Sequence, residues 1–285
     1  MAVKGRLGEE RVKEFLREDI GQGDITSTAL VDENQKGKAR LYFREEGIAA
    51  GIEEASMVFN LLGCNVEIIA RDGDLVNPGE NILIIEGPAR ALLAGERTAL
   101  NIICRMSGIA TKVAEVQRII LKENPDIRVA ATRKTAPGLR VLDKKAVELG
   151  GGDTHRFRLD DCVLIKDNHL ALVPSITEAV RRVRERVSFT KKIEVEVSSP
   201  KEAFEAAEAG ADVVMFDNMR PSEIRNCIGS LIEKGLRDGR VFEASGGINL
   251  ENVQEYVASG VDIISMGCLT HSVRSLNAKL EIEMV

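Results

Sequence analysis

The 285-residue chain has no tryptophan, two tyrosines and eight phenylalanines, so its core must rest on Ile, Leu, Val and Ala. It also lacks an excess of positive charge, since 39 Lys and Arg stand against 45 Asp and Glu. The net charge of −6 argues against nucleic acid as the main partner, because a phosphate backbone needs a basic surface. No apolar run approaches the length that spans a bilayer, which argues against a membrane partner. The first twenty residues include Lys13, Glu14, Arg17, Glu18 and Asp19, too much charge for a signal peptide. The five cysteines (64, 104, 162, 227 and 268) are widely spaced and form no CxxC pair, which excludes the usual zinc and redox motifs. A soluble protein of the reducing cytoplasm is expected. What is present, 44% hydrophobic residues, is sufficient for a real core.

The early part of the chain mixes helix and strand. Helical spacing covers 8–17, 52–62 and 89–122, the last interrupted at Ser107-Gly108; strand-like runs cover 39–44, 65–70 and 82–85. Between the last two runs, 71–80 is dense in turn formers. Elements without strict alternation predict a small α+β domain. From about residue 127 the rhythm changes. Short apolar runs recur at 127–131, 162–165, 193–197, 213–216, 241–244 and 263–266, with helical segments between most of them. Ser199-Pro200 reads as an N-cap with proline at the first helical position, and Asn249 as the cap of a later helix. Such alternation predicts parallel βα units, hence a β/α barrel or a doubly wound sheet. Only six strands are secure, so a barrel would be incomplete.

The strand ends carry Thr132-Arg133-Lys134, Lys166, Glu196, Asp217, Ser245-Gly246-Gly247 and Gly267. In a β/α barrel all carboxyl ends converge on one face, where catalytic groups gather. Arg133, Lys134, Arg140, Lys144, Lys145, Arg156, Arg158 and Lys166, with His155, concentrate cations that suit a small polyanion. At the strand ends a functional reading is preferred. Lys144, Lys145 and Arg158 read instead as solvated charges. Glu196 and Asp217 could hold Mg²⁺, bond sugar hydroxyls or act as a base. Glu194 lies on the same side of its strand as Glu196, which leaves the choice between them open. The Gly246-Gly247 pair and Gly267 could let backbone N–H groups approach a phosphate. Of the histidines, His155 sits in a polar loop, while His169 and His271 could equally orient loops.

These residues resemble one family. Thr132-Arg-Lys-Thr-Ala-Pro-Gly-Leu-Arg140, Gly150-Gly-Gly-Asp-Thr-His-Arg156 and Ile165-Lys-Asp-Asn-His169 look like segments of quinolinate phosphoribosyltransferases, as do Glu18–Asp24, Gly95–Asn101, Ser107–Thr111, Ile193–Val197, Phe216–Asn218, Glu243–Ile248 and Ser265–His271. The resemblance covers nearly the whole chain, in order. It departs at Lys145, where the family commonly has tyrosine, and only a small local change is expected there. The resemblance implies an α/β fold: an open-faced, incomplete β/α barrel (109–271) with an N-terminal α/β sandwich domain (1–108) that 272–285 rejoin. It implies that quinolinate and phosphoribosyl diphosphate react with loss of CO2 to give nicotinate mononucleotide. Arg133, His155, Arg156 and Lys166 would hold the two carboxylates, and Lys134 and Lys166 would face diphosphate. Glu196 and Asp217 would face ribose hydroxyls and Mg²⁺. Ser245, Gly246, Gly247 and Gly267 would grip the 5′-phosphate, with His271 nearby. Lys134, Lys166, Glu196 and Asp217 would carry the chemistry. The family also implies a homodimer or larger assembly, a dimer-based hexamer included, with Arg97 entering the neighbour's site.

Three rivals stand beside this reading. A related transferase acting on nicotinate would need fewer cations. A barrel lyase or aldolase would use Lys166 as an imine-forming nucleophile, which favours a desolvated lysine rather than an anion cradle. A non-catalytic binding homologue would have no need of every expected charged residue.

Overall fold

The structure, a computed structural model, describes residues 8–284; residues 1–7 and 285 of the expected domains lie outside it. In chain order it contains α1 (Glu9–Ile20), α2 (Ile25–Leu30), β1 (Lys36–Phe43), β2 (Gly47–Ile48), α3 (Ile52–Leu61), β3 (Asn65–Ile68), β4 (Leu75–Val76) and β5 (Asn81–Pro88). Then follow α4 (Ala89–Leu121), β6 (Arg128–Ala130), α5 (Arg140–Leu149), β7 (Val163–Ile165), α6 (Asp167–Leu170), α7 (Ile176–Arg186), β8 (Ile193–Val197) and α8 (Pro200–Glu208). The chain ends with β9 (Val213–Asp217), α9 (Pro221–Glu233), β10 (Val241–Ser245), α10 (Val253–Val257), β11 (Ile263–Ser265), α11 (Cys268–His271) and β12 (Ala278–Met284). No helix of the described residues is long and apolar enough to cross a membrane.

Two compact units result. One comprises the chain up to Ala114, Ala136–Gly151 and the residues from Val273; the other comprises Glu115–Thr135 and Gly152–Ser272. The sequence reading assigned all of 109–271 to the barrel, whereas the structure gives 109–114 and Ala136–Gly151 to the first unit. The reason is the packing of α5. Asp143 is fully buried and accepts two hydrogen bonds from Arg105 of α4, at 2.8 and 2.9 Å. Gly150 leaves no room for a side chain, since a Cβ there would lie 2.4 Å from the Ala110 carbonyl oxygen.

In the first unit a four-stranded antiparallel sheet runs β12–β1–β5–β3. Strand β1 exposes Lys36, Lys38 and Arg40 and buries Ala39, Leu41 and Phe43, the alternation of a sheet with one wet face. Against it α3 contributes buried Ile52, Ala55, Val58 and Phe59. Helix α4 is continuous through Ser107-Gly108, where the sequence suggested a break. Ser107 is fully buried, its hydroxyl accepting from the Ala50 N–H (2.9 Å) and donating to the Ala50 carbonyl (3.1 Å). Gly108 is small because the Arg274 carbonyl oxygen occupies the place of its Cβ. Tertiary contact thus overrides weak helix propensity.

Two lysines read as solvated are buried. Lys144 is fully inaccessible, and Lys145 extends into a pocket with Glu54 (2.9 Å), Asp72 (2.7 Å) and the rim residue Glu53 (3.1 Å). Burial raises the pKa of Glu54, while the carboxylates raise that of Lys145 in spite of its own burial.

The second unit is a six-stranded parallel sheet ordered β6–β11–β10–β9–β8–β7. Strands β8, β9 and β10 are buried along most of their length, as parallel strands covered on both faces must be. Strands β6 and β7 are the two edges, so the barrel stays open. At the β6 edge a single residue extends the pairing: the Asp153 N–H donates to the Val129 carbonyl (2.7 Å), and the Asp153 carbonyl accepts from the Ala131 N–H (2.9 Å). That bridge delivers the segment after Asp153 to the carboxyl ends of the strands. Ser199 caps α8 as expected. Asn249 does not cap α10, which begins at Val253 after Asn252; its side chain instead accepts from the Glu251 N–H (2.8 Å).

Candidate active site

The carboxyl ends of the six strands enclose a cavity of about 460 Å³, walled by the second unit alone. Arg133, Lys134, His155, Arg156, Lys166, Glu196, Asp217, Ser245, Gly246 and Gly247 all line it. The loop after β6 is fixed at both ends. The Lys134 N–H donates to Thr132 Oγ1 (3.1 Å), and Thr270 Oγ1 donates to the Lys134 carbonyl (2.9 Å). Lys166, at the end of β7, forms an ion pair with Glu196 of β8. The backbone N–H of Lys166 donates to His169 Nδ1 (3.0 Å), so His169 orients this loop.

Asp217 ends β9 and accepts from Asn218 Nδ2 (2.7 Å); Asn218 itself adopts a left-handed φ of 55°. Its backbone N–H donates to the Ser245 carbonyl (2.9 Å), tying the ends of β9 and β10 together. Gly246 follows with φ 92°, and a Cβ there would strike the Asn218 backbone nitrogen at 2.6 Å. Gly247 (φ 62°) faces open space. Gly267 and His271 do not line the cavity. Gly267 lies behind Lys134, whose Cδ would be 2.9 Å from a Cβ there, and 3.1 Å from His271 Cδ2 by the same measure. His271 is exposed, with Nδ1 2.6 Å from Ser272 Oγ. Arg97 belongs to the first unit, exposed on α4.

The charges are distributed unevenly. Glu196 is committed to Lys166, whereas no ion pair among the described residues engages Arg133, Lys134 or Arg156. Arg133 Nε is buried without a hydrogen-bond partner. Three free cations on one cavity wall constitute an anion site.

The ambiguity between Glu194 and Glu196 resolves by depth. Glu196 lines the cavity, as do His155 and the nearly inaccessible Glu243 (1% exposed), while Glu194 (3%) does not. His155 Nε2 is 3.3 Å from Glu243 Oε2 and 3.6 Å from Glu194 Oε2. Burial disfavours a charged ring, but the two carboxylates outweigh it and push the His155 pKa up to about 10. Burial also raises Glu194. The Arg156 N–H donates to His155 Nδ1 at 2.8 Å, so Nδ1 is an acceptor and the ring N–H is the one on Nε2, facing the carboxylates. Here, too, ligand atoms of three His or Glu side chains lie within 4.8 Å of one another, but the Nε2–H occupies the space between them. The sequence reading named His155 and left Glu194 open against Glu196, but missed Glu243, Asn218 and Ser265 in the cavity wall. The i, i+2 spacing of Glu243 to Ser245 was the available signal.

Comparison with known proteins agrees with this arrangement. Models of the quinolinate phosphoribosyl transferase family match residues 24–107 (N-terminal domain) and 109–281 (C-terminal domain). The chain belongs to the quinolinate phosphoribosyltransferase family. It is 50% identical over 271 residues to a probable nicotinate-nucleotide pyrophosphorylase (carboxylating) of Methanothermobacter thermautotrophicus, covering 95% of this chain and 97% of that one. The human nicotinate-nucleotide pyrophosphorylase (carboxylating) is 37% identical, with 95% and 90% covered. Among solved structures, NadC from Streptococcus pyogenes superposes with a TM-score of 0.91 at 34% identity over 99% of this chain and 100% of that one. The fold of this family, an open β/α barrel with an N-terminal domain built on an antiparallel sheet, is the one described above. Within it, Lys145 and its buried carboxylates stand where the resemblance led us to expect tyrosine, so the local change is an ion cluster rather than a minor adjustment.

Proposed function

We propose that this chain transfers the phosphoribosyl group of phosphoribosyl diphosphate to quinolinate with decarboxylation, giving nicotinate mononucleotide, CO2 and diphosphate in NAD biosynthesis. The observation that carries the reading is the set of unpaired cations Arg133, Lys134 and Arg156 beside the carboxylates Glu196 and Asp217 in one cavity. A substrate with two carboxylates and a second with three phosphoryl groups supply the anions such a wall needs.

The chemistry follows from these groups. The pyridine nitrogen attacks the anomeric carbon of the ribose as its bond to diphosphate breaks. Arg133, Arg156 and Lys166 hold the two carboxylates so that the nitrogen points at that carbon. Negative charge grows on the leaving diphosphate, where Lys134 and Lys166 stabilise it, and positive charge grows on the sugar, opposite Glu196 and Asp217. The carboxylate next to the ring nitrogen then departs as CO2, its bonding electrons drawn into the cationic ring, and that carbon takes a proton. Ser245, Gly246 and Gly247 hold the 5′-phosphate in the cavity, while Gly267 and His271, outside its lining, back Lys134. Glu196 and Asp217 offer an all-oxygen donor set, which suits Mg²⁺ shared with substrate phosphates and water. Bound there, Mg²⁺ would neutralise charge on the leaving diphosphate.

Lys166 is engaged by Glu196 in an ion pair and lines an anion site, which argues against the lyase reading. Assembly as a homodimer or a dimer-based hexamer, with exposed Arg97 completing the neighbour's quinolinate site, belongs to the same proposal, as does a cytoplasmic location. Incubation with quinolinate, phosphoribosyl diphosphate and Mg²⁺ should yield nicotinate mononucleotide; absence of that product from folded protein rejects the reading.

A further inference from the structure

We infer that Glu194 and Glu243 are positioning residues that use His155 as a spacer to aim Arg156, and that His155 itself does not touch quinolinate. The inference rests on the proposed reaction for the identity of the substrate only. His155 is not glycine, yet its φ is 51°, a conformation an L side chain adopts at a cost unless its surroundings impose it. Three contacts impose it. The His155 N–H donates to Asp153 Oδ1 (2.7 Å), the Arg156 N–H donates to His155 Nδ1 (2.8 Å), and Nε2 faces Glu243 and Glu194. Both ring nitrogens are thereby spent inside the protein, and the ring has no N–H left for a substrate carboxylate.

The support layer is costly and dedicated. Glu194 and Glu243 are both buried, Glu243 within the cavity lining, and Oε1 of each has no hydrogen-bond partner. Two buried carboxylates with unpartnered oxygens are retained where they secure something else. The ring is what both of them face, and what the ring secures is the backbone of Arg156, whose side chain enters the cavity. Arg156, one of the unpaired cations, is thus held at the end of a chain of contacts that starts on β8 and β10.

The test uses the full-length protein in two measurements. In the first, ¹⁵N NMR looks for the coupling across the hydrogen bond between the Arg156 amide nitrogen and His155 Nδ1, with and without quinolinate. The coupling should be present and should survive quinolinate addition. Its loss on addition would mean that the ring turns to the substrate, which overturns the inference. In the second, Glu243→Gln and Glu243→Leu are compared by steady-state kinetics, with melting temperatures confirming that each is folded. Gln keeps an acceptor for Nε2–H and should stay within about threefold of wild type. Leu removes it and should raise KM for quinolinate about tenfold to a hundredfold, leaving KM for phosphoribosyl diphosphate unchanged, because misaligning one binding group acts on one substrate. Equal damage by Gln and Leu, or a loss of kcat with both KM values unchanged, would overturn the inference. If wild type makes no nicotinate mononucleotide while the coupling persists, the reaction is wrong and the positioning of Arg156 still stands on the spectra.

Discussion

Removing the amine of Lys145 tests how the first unit tolerates buried charge. Its side chain is 6% exposed, Glu54 is 5% and Asp72 10%, and the three groups meet within 2.9 Å. Lys145→Met fills much of the same volume but leaves two carboxylates facing each other without a cation. Breaking a buried ion pair from one side costs about 3–5 kcal/mol. For a chain of this size, that corresponds to a fall in Tm of about 6–20 °C, at about 2–4 °C per kcal/mol. An exposed pair would cost about 0–1 kcal/mol. Calorimetry at pH 7 separates the two cases, and urea unfolding gives the free-energy difference directly. The triple variant Lys145→Met, Glu54→Gln, Asp72→Asn should recover most of the loss. The pH dependence has a definite sign. Lys145 has its folded pKa raised, so its contribution is complete below the ordinary lysine pKa and disappears only as pH rises through the folded value. In Lys145→Met the orphaned Glu54 has a raised pKa, so the deficit should narrow as pH falls from 7 toward 5. A Tm within 2 °C of wild type would refute the buried cluster.

Three further outcomes are expected. Arg97→Ala and Arg133→Ala should each be folded and inactive, while mixed assemblies should regain activity through the one site that carries neither lesion; exchange of subunits without recovery would place Arg97 in its own chain's site. Borohydride added during turnover should leave the mass of Lys166 unchanged, since its amine is paired with Glu196, and a reduced adduct would restore the lyase reading. Gly246→Ala should abolish activity at any phosphoribosyl diphosphate concentration reached, because its Cβ would meet the Asn218 backbone nitrogen at 2.6 Å in a left-handed turn; steady-state kinetics close to wild type would refute that role.

The strand ends were legible because each apolar run stops at a polar group, and a parallel βα repeat carries all such stops to one face. The six strands fell where the runs predicted. The fate of Lys145 was not legible, because Asp143-Lys144-Lys145 is a local run of charge and the decisive partner Glu54 lies 91 residues away. Nothing in the neighbouring sequence distinguishes such a lysine from a solvated one. The continuity of α4 was hidden for the same reason. Ser107 and Gly108 weaken a helix locally, and only the distant Ala50 and Arg274 show why they are tolerated. His155 was legible as a site residue through its motif, but the engagement of both its nitrogens depends on a left-handed φ that sequence does not reveal.

The central claim is that the unpaired cations of the strand-end cavity select a dicarboxylate ring and drive its decarboxylating transfer. Its most direct test is to offer the protein quinolinate and nicotinate in turn, with phosphoribosyl diphosphate and Mg²⁺, and to quantify CO2, diphosphate and nicotinate mononucleotide together. With quinolinate the three products should appear in equal amounts, and with nicotinate turnover should be poor. Comparable turnover of nicotinate, or diphosphate released without matching CO2, would contradict the account.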